Sequence, residues 1–261
     1  MLIAASHGLY DAGMSFRSFR GRFGALCGVL GPVAFTAAWL VAQRRQDEYR
    51  FRHEHISGLA AKDANDPSVM TAGFVALGGC TVAFASALDR RLLPHPGAGP
   101  LLIGVAGLAT IVAGLFRRDR RSNFPPPGEP TGQSWENDVH DAAAAVGGVA
   151  GTVGLVALAP RLARDPAFRD LARPAFGAAG ASAGISAWFL RDVVRPGNGL
   201  LQRANLTIPL AFMARLALRL FNERDRTSGS AIRPPRTFQS SDTSTRTGRA
   251  RRGLAPSMPK P

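Results

Sequence analysis

Six stretches of the chain, 23–41, 68–88, 100–116, 142–159, 174–190 and 200–220, are apolar on every side, and the first five contain no Lys, Arg, Asp or Glu. Each has about 17–21 residues, enough to cross roughly 30 Å of hydrocarbon at about 1.5 Å per residue. A soluble helix of that length shows a polar face every three or four residues, and these do not. A soluble bundle would also need amphipathic helices to cover six uncharged spans, and the pattern supplies none. No run alternates polar and apolar residues with period two, so strands are not expected. The fold class predicted is all-α: a polytopic membrane protein with a six-transmembrane-helix bundle.

Composition first points elsewhere. The 261 residues carry 32 Lys and Arg against 18 Asp and Glu, a net charge of +14. Mean hydropathy is only +0.01. Both averages mix two populations, because charge is expelled from the spans into their connections. Arg17, Arg20 and Arg22 precede the first span, Arg90 and Arg91 follow the second, and Arg161, Arg164 and Arg169 follow the fourth. The segment after the last span is basic as well. With six spans all of these share one face, so the positive-inside rule places both termini in the cytoplasm and the protein in the plasma membrane. The opposite connections are charge-balanced. Trp39, Trp135 and Trp188 fall near the outer ends of spans, where indole rings favour the interface. The chain is thereby divided into a basic cytoplasmic leader (1–22), a transmembrane domain (23–221) and a basic, Ser/Thr/Pro-rich tail (222–261) expected to be disordered. No cleavable signal peptide is visible, and Met14 offers a second plausible start.

Within the spans, Gly24 and Gly28, Gly147 and Gly151, and Gly180 and Gly184 form small-xxx-small pairs that let helix backbones approach, inside one bundle or in a homo-oligomer. Pro32 and Pro209 should kink the first and last helices. Arg215 at one end of the last span, and Gln202 with Arg203 at the other, are placed to snorkel to headgroups. Cys27 and Cys80 lie within spans, the first nearer the inner surface, and read as packing residues.

Chemistry is sparse. There is no P-loop, GxSxG, HExxH or dinucleotide fingerprint, and no cofactor is expected. The basic residues flank spans without aromatic interleaving, which argues against nucleic acid. His53 and His55 flank Glu54 in the first outer connection, and His140 opens the fourth span beside Asp138 and Asp141. All three histidines would face one side. Such a cluster could hold zinc, with His53, His55 and His140 as ligands and His140 with Asp141 activating water. The alternative is that these side chains cap helices and pair with nearby arginines.

The order of short motifs is informative. The first span carries Gly28-Val29-Leu30-Gly31-Pro32, and an outer loop follows with Tyr49 and His55-Ile56-Ser57-Gly58-Leu59. The second has Gly73-Phe74-Val75 and Gly78-Gly79, and the third ends Gly114-Leu115-Phe116. His140 opens the fourth, and the last begins Gly199-Leu200-Leu201-Gln202-Arg203. Over roughly 20–221 this resembles the bacterial and archaeal membrane family known as domain of unknown function 998. The third connection departs from it, being longer and richer in Arg and Pro. The resemblance implies a six-span membrane protein and no particular chemistry. Three functions are consistent with the sequence: a protein that binds a lipid or small hydrophobic molecule between kinked helices, a metal-assisted hydrolase at the outer face, and a small transporter or accessory subunit of a membrane complex. Membrane lipids are the partners expected in every case.

Overall fold

The computed structural model describes residues 3–92, 97–122, 133–191 and 196–230, and for 3–20 and 224–230 the backbone alone. The expected tail from 231 onward and the Pro-rich centre of the third connection lie outside the described residues. Those described form six α-helices, two short 3-10 turns and no strand. The helices are α1 (Ile3–Arg45), α2 (Pro67–Arg91), α3 (Ala98–Leu115), α4 (Trp135–Arg164), α5 (Ala172–Arg191) and α6 (Asn198–Ser230). Each expected span falls on one of them, but α1 and α6 run well beyond the apolar stretch, back to Ile3 and on to Ser230.

Five helices are long and apolar enough to cross a membrane: 21–45 of α1, all of α2, α3 and α4, and 198–223 of α6. The exception is α5. Its 20 residues are mostly Ala, Gly and Ser, and Arg173 and Pro174 occupy its first turn. The expectation of a span at 174–190 rests on its absence of charge, whereas its small side chains add little transfer energy.

Local chemistry sets the helix ends. Pro67 opens α2, where its missing N–H costs nothing and its fixed φ suits the first turn. Ser134 caps α4 by accepting from the Asn137 amide, and Glu136 and Asp138 place negative charge against the positive end of the helix dipole. After α1 the chain reverses through Glu48, whose φ of 55° is left-handed.

Each helix packs on the next, and α6 returns to α1, so the six close into a ring. Glycine sets the spacing of one part of it. A β-carbon at Gly24 would stand 2.6 Å from that of Ala87, one at Gly73 2.6 Å from that of Ala38, and one at Gly28 2.6 Å from that of Ala217. On α5, Gly177, Gly180 and Gly184 have nothing within 4 Å. The α1–α2 and α1–α6 seams are therefore backbone-close, while the glycine ridge of α5 faces away from the bundle. Cys27 and Cys80 are free, and Cys80 lies against Gly31, one turn from Cys27 across the α1–α2 seam.

The two ends of the ring differ. At the basic end Arg91 pairs with Asp165 at 2.9 Å, and Arg219 donates from Nε to the Ala167 carbonyl at 2.9 Å. Phe84, Leu88, Leu158, Leu162, Phe168 and Leu216 fill the interior nearby, each with under 2% of its surface exposed. At the other end the interior is occupied by a folded-back loop.

Candidate functional site

The first connection does not lie flat on the bundle. From Glu54 to Ala61 every residue is buried, with a 3-10 turn at Ile56–Ala60. A buried loop must find partners for its backbone, most of all in a membrane protein, where lipid offers none. Here α6 and α1 supply them. Gln202 accepts from the Ile56 amide at 2.5 Å. The Tyr49 hydroxyl donates to the carbonyls of Glu54 (3.3 Å) and His55 (3.1 Å). The start of α6 is tied back as well, the Leu200 amide donating to the Arg52 carbonyl at 3.2 Å.

Arg203 is the hub. Its Nη1 donates to the carbonyls of Glu54 (3.0 Å) and Gly199 (2.9 Å), and its Nη2 to the Tyr49 hydroxyl (2.7 Å). The guanidinium sits 5.4 Å from the Trp39 ring centre, 5.7 Å from Tyr49 and 5.9 Å from Phe51. Only 9% of the residue is exposed. The expectation that Arg203 snorkels to headgroups is therefore corrected: the loop presents carbonyls and ring faces at its own level, and the side chain turns inward to meet them. Its Nε has no partner among the described residues.

The three histidines have separate tasks. His53 accepts at Nδ1 from the Gly197 amide at 3.0 Å, where a φ of +97° suits glycine. His55 is 3% exposed, with its ring 4.9 Å from that of Phe189 on α5. Burial, and then the charges of Arg118 and Arg203, push its pKa down to about 3, so the imidazole is neutral. Its Nε2 is buried without a partner among the described residues. His140 faces the carbonyls of Ala113 (2.6 Å) and Phe116 (3.0 Å) with Nδ1, which must therefore carry the proton, and so closes the last turn of α3. Asp141 accepts from Asn137 one turn earlier, at 2.9 Å. Among the described residues no three His, Cys, Asp or Glu side chains are grouped so as to hold a metal.

A second cluster stitches the first and third connections to α4. Asp119 accepts from the Ser134 amide (2.6 Å), the Ser134 hydroxyl (2.6 Å) and Lys62 (2.9 Å). Lys62 also pairs with Glu136, and its amide donates to the Arg118 carbonyl at 2.9 Å. The Ser134 bonds, with Lys62 behind them, hold the Asp119 carboxyl at about 2, well below its ordinary range. On the α5–α6 seam Asn205 donates to Ser186 at 2.9 Å, and the Ser182 hydroxyl is buried without a partner among the described residues.

Reading by motif missed the partnership of Tyr49, Gln202 and Arg203. The signal was present, since all three stand in the short stretches that carried the resemblance. These two stretches, Tyr49 with 55–59 and 199–203, bond to each other across nearly 150 positions. Comparison with known families matches the chain to proteins described as "Protein of unknown function (DUF998)" over residues 29–219. The chain belongs to the DUF998 family. The match begins in α1 and ends in α6, so this DUF998 protein is family-like across all six helices and through both halves of the Arg203 network. No curated protein and no solved structure matches it. Family membership and the five long apolar helices together make this DUF998 chain an integral membrane protein.

Proposed function

We propose that the protein is a six-span plasma-membrane protein, with its termini and basic end in the cytoplasm, that binds a lipid or small hydrophobic molecule within the helix bundle. The observation that carries the ligand reading is the seam between α5 and α6. It combines Pro209 inside α6, a Ser186–Asn205 bond and a buried Ser182 hydroxyl without a partner among the described residues. Pro209 cannot donate to the Asn205 carbonyl, so the helix is weakened where the seam is most polar. The glycine ridge of α5, free of close neighbours, lets that helix shift without tearing apart backbone contacts.

Native mass spectrometry of the full chain in a mild detergent tests the reading. A stoichiometric adduct carried through purification, lost when α5 and α6 are cross-linked by cysteines at Ser186 and Asn205, is the expected result. A bare chain under the gentlest activation would overturn it.

A further inference from the structure

The Ser186–Asn205 bond fixes the register of α5 against α6, with Phe189 three residues after Ser186 and Gln202 three residues before Asn205. His55 lies against that Phe189, and Arg203 follows Gln202, so the loop and the two helix ends converge. Two nitrogens there have no partner among the described residues, His55 Nε2 and Arg203 Nε, on residues only 3% and 9% exposed. Orphan N–H groups are costly in a protein interior, and more so where lipid excludes water. The charges that reach His55 are those of Arg118 and Arg203, both cationic. The nearby buried carboxylate, Glu54, is taken up by the Arg50 amide at 3.1 Å. Around this point Phe51, Trp188, Leu190 and Leu200 are large apolar side chains, each more than 40% exposed.

We propose that His55 and Arg203 form the head-group subsite for an acidic amphiphile, a molecule with a carboxylate or phosphate-ester head and a hydrocarbon tail. An oxygen of the head accepts from Arg203 Nε and from His55 in its Nε2–H tautomer. The tail lies on the apolar lip formed by Phe51, Leu190 and Leu200. This assignment rests on the ligand reading above and specifies its chemistry. No covalent step is involved.

The test uses the full chain in neutral detergent, with melting temperature and native mass spectrometry as readouts. The probes are oleate, oleyl alcohol, dioleoyl phosphatidate, and acetate or inorganic phosphate alone. Oleate and phosphatidate should bind and raise the melting temperature, with oleyl alcohol about tenfold weaker for want of a charged acceptor. His55→Phe keeps a ring against Phe189 and removes the nitrogen. It should weaken oleate about tenfold and leave oleyl alcohol unchanged. Arg203→Lys should do the same to oleate, and if it unfolds the protein the His55 variant still decides. Equal binding of oleate and oleyl alcohol, unmoved by His55→Phe, would overturn the acidic head while leaving a hydrophobic ligand standing. Binding of acetate or phosphate alone as tightly as oleate would overturn the amphiphile. Binding by no probe, to a chain that also purifies without an adduct, would overturn both readings.

Discussion

Removing the guanidinium of Arg203 takes one donor each from the buried Glu54 carbonyl, which keeps only the 3.3 Å bond from Tyr49, from the Gly199 carbonyl and from the Tyr49 hydroxyl. Arg203→Ala should therefore cost about 2–4 kcal/mol, read as a lower melting temperature in detergent. Tyr49→Phe keeps the ring under Arg203 and loses only the hydroxyl, at about 1 kcal/mol. A wild-type melting temperature in the Arg203 variant would show that the loop finds its partners elsewhere. Titration separates the two polar clusters. His55 has a folded pKa of about 3 against an ordinary 6.5, so the unfolded chain binds the extra proton and stability is lost as pH falls below about 6.5. Asp119 is depressed to about 2 from 3.8, so its contribution survives until pH falls below about 4. His55→Phe should flatten the melting profile between pH 6.5 and 4 while leaving the loss below pH 4 in place. An unchanged slope above pH 4 would assign that loss to another group.

Among elements, the seams differ in how closely backbones meet. Gly28→Ala would drive its methyl to 2.6 Å from the Ala217 β-carbon and 2.7 Å from the Phe84 ring, and should cost about 1–3 kcal/mol. Gly180→Ala, with open space around it, should stay within about 0.5 kcal/mol. Equal melting temperatures for the two variants would contradict this division. Glycine spacing alone did not reveal it, because Gly24/Gly28 and Gly180/Gly184 present the same pattern; which face each pair turns inward depends on the partner helix. The six helices, five of them long and apolar enough to cross a membrane, were legible because expelled charge leaves a one-dimensional trace. The fold-back of 54–61 was not. Its burial comes from contacts with Gln202 and Arg203, nearly 150 residues away, and a loop containing His53, Glu54 and His55 looks polar until those partners arrive.

For the whole molecule, the alternation of a basic end with a charge-balanced, cross-bonded end fits the proposed orientation. It can be checked on a background in which Cys27 and Cys80 are serine. A membrane-impermeant maleimide applied to intact cells should modify a cysteine at Ala64 and spare one at Gly97. The reverse pattern would invert the topology. The histidines show the limit of reading a cluster from a list of residues. His53, His55 and His140 share one end of the bundle, as expected, yet they serve Gly197, the Phe189 face and the last turn of α3 in turn.

The weak hydrophobicity of α5 also bears on how the chain is made. A translocon sorts each emerging segment by its own transfer energy, and one dominated by Ala, Gly and Ser lies near the threshold. Under the proposed six-span topology its retention should then depend on α6, synthesised next, which offers Asn205 to Ser186 and closes the ring onto α1. Nascent chains halted just before Asn198 are expected to leave α5 outside the bilayer in a sizeable fraction of molecules, and chains halted after Glu223 to place it uniformly. Glycosylation-site mapping on the two truncations would record the order of events.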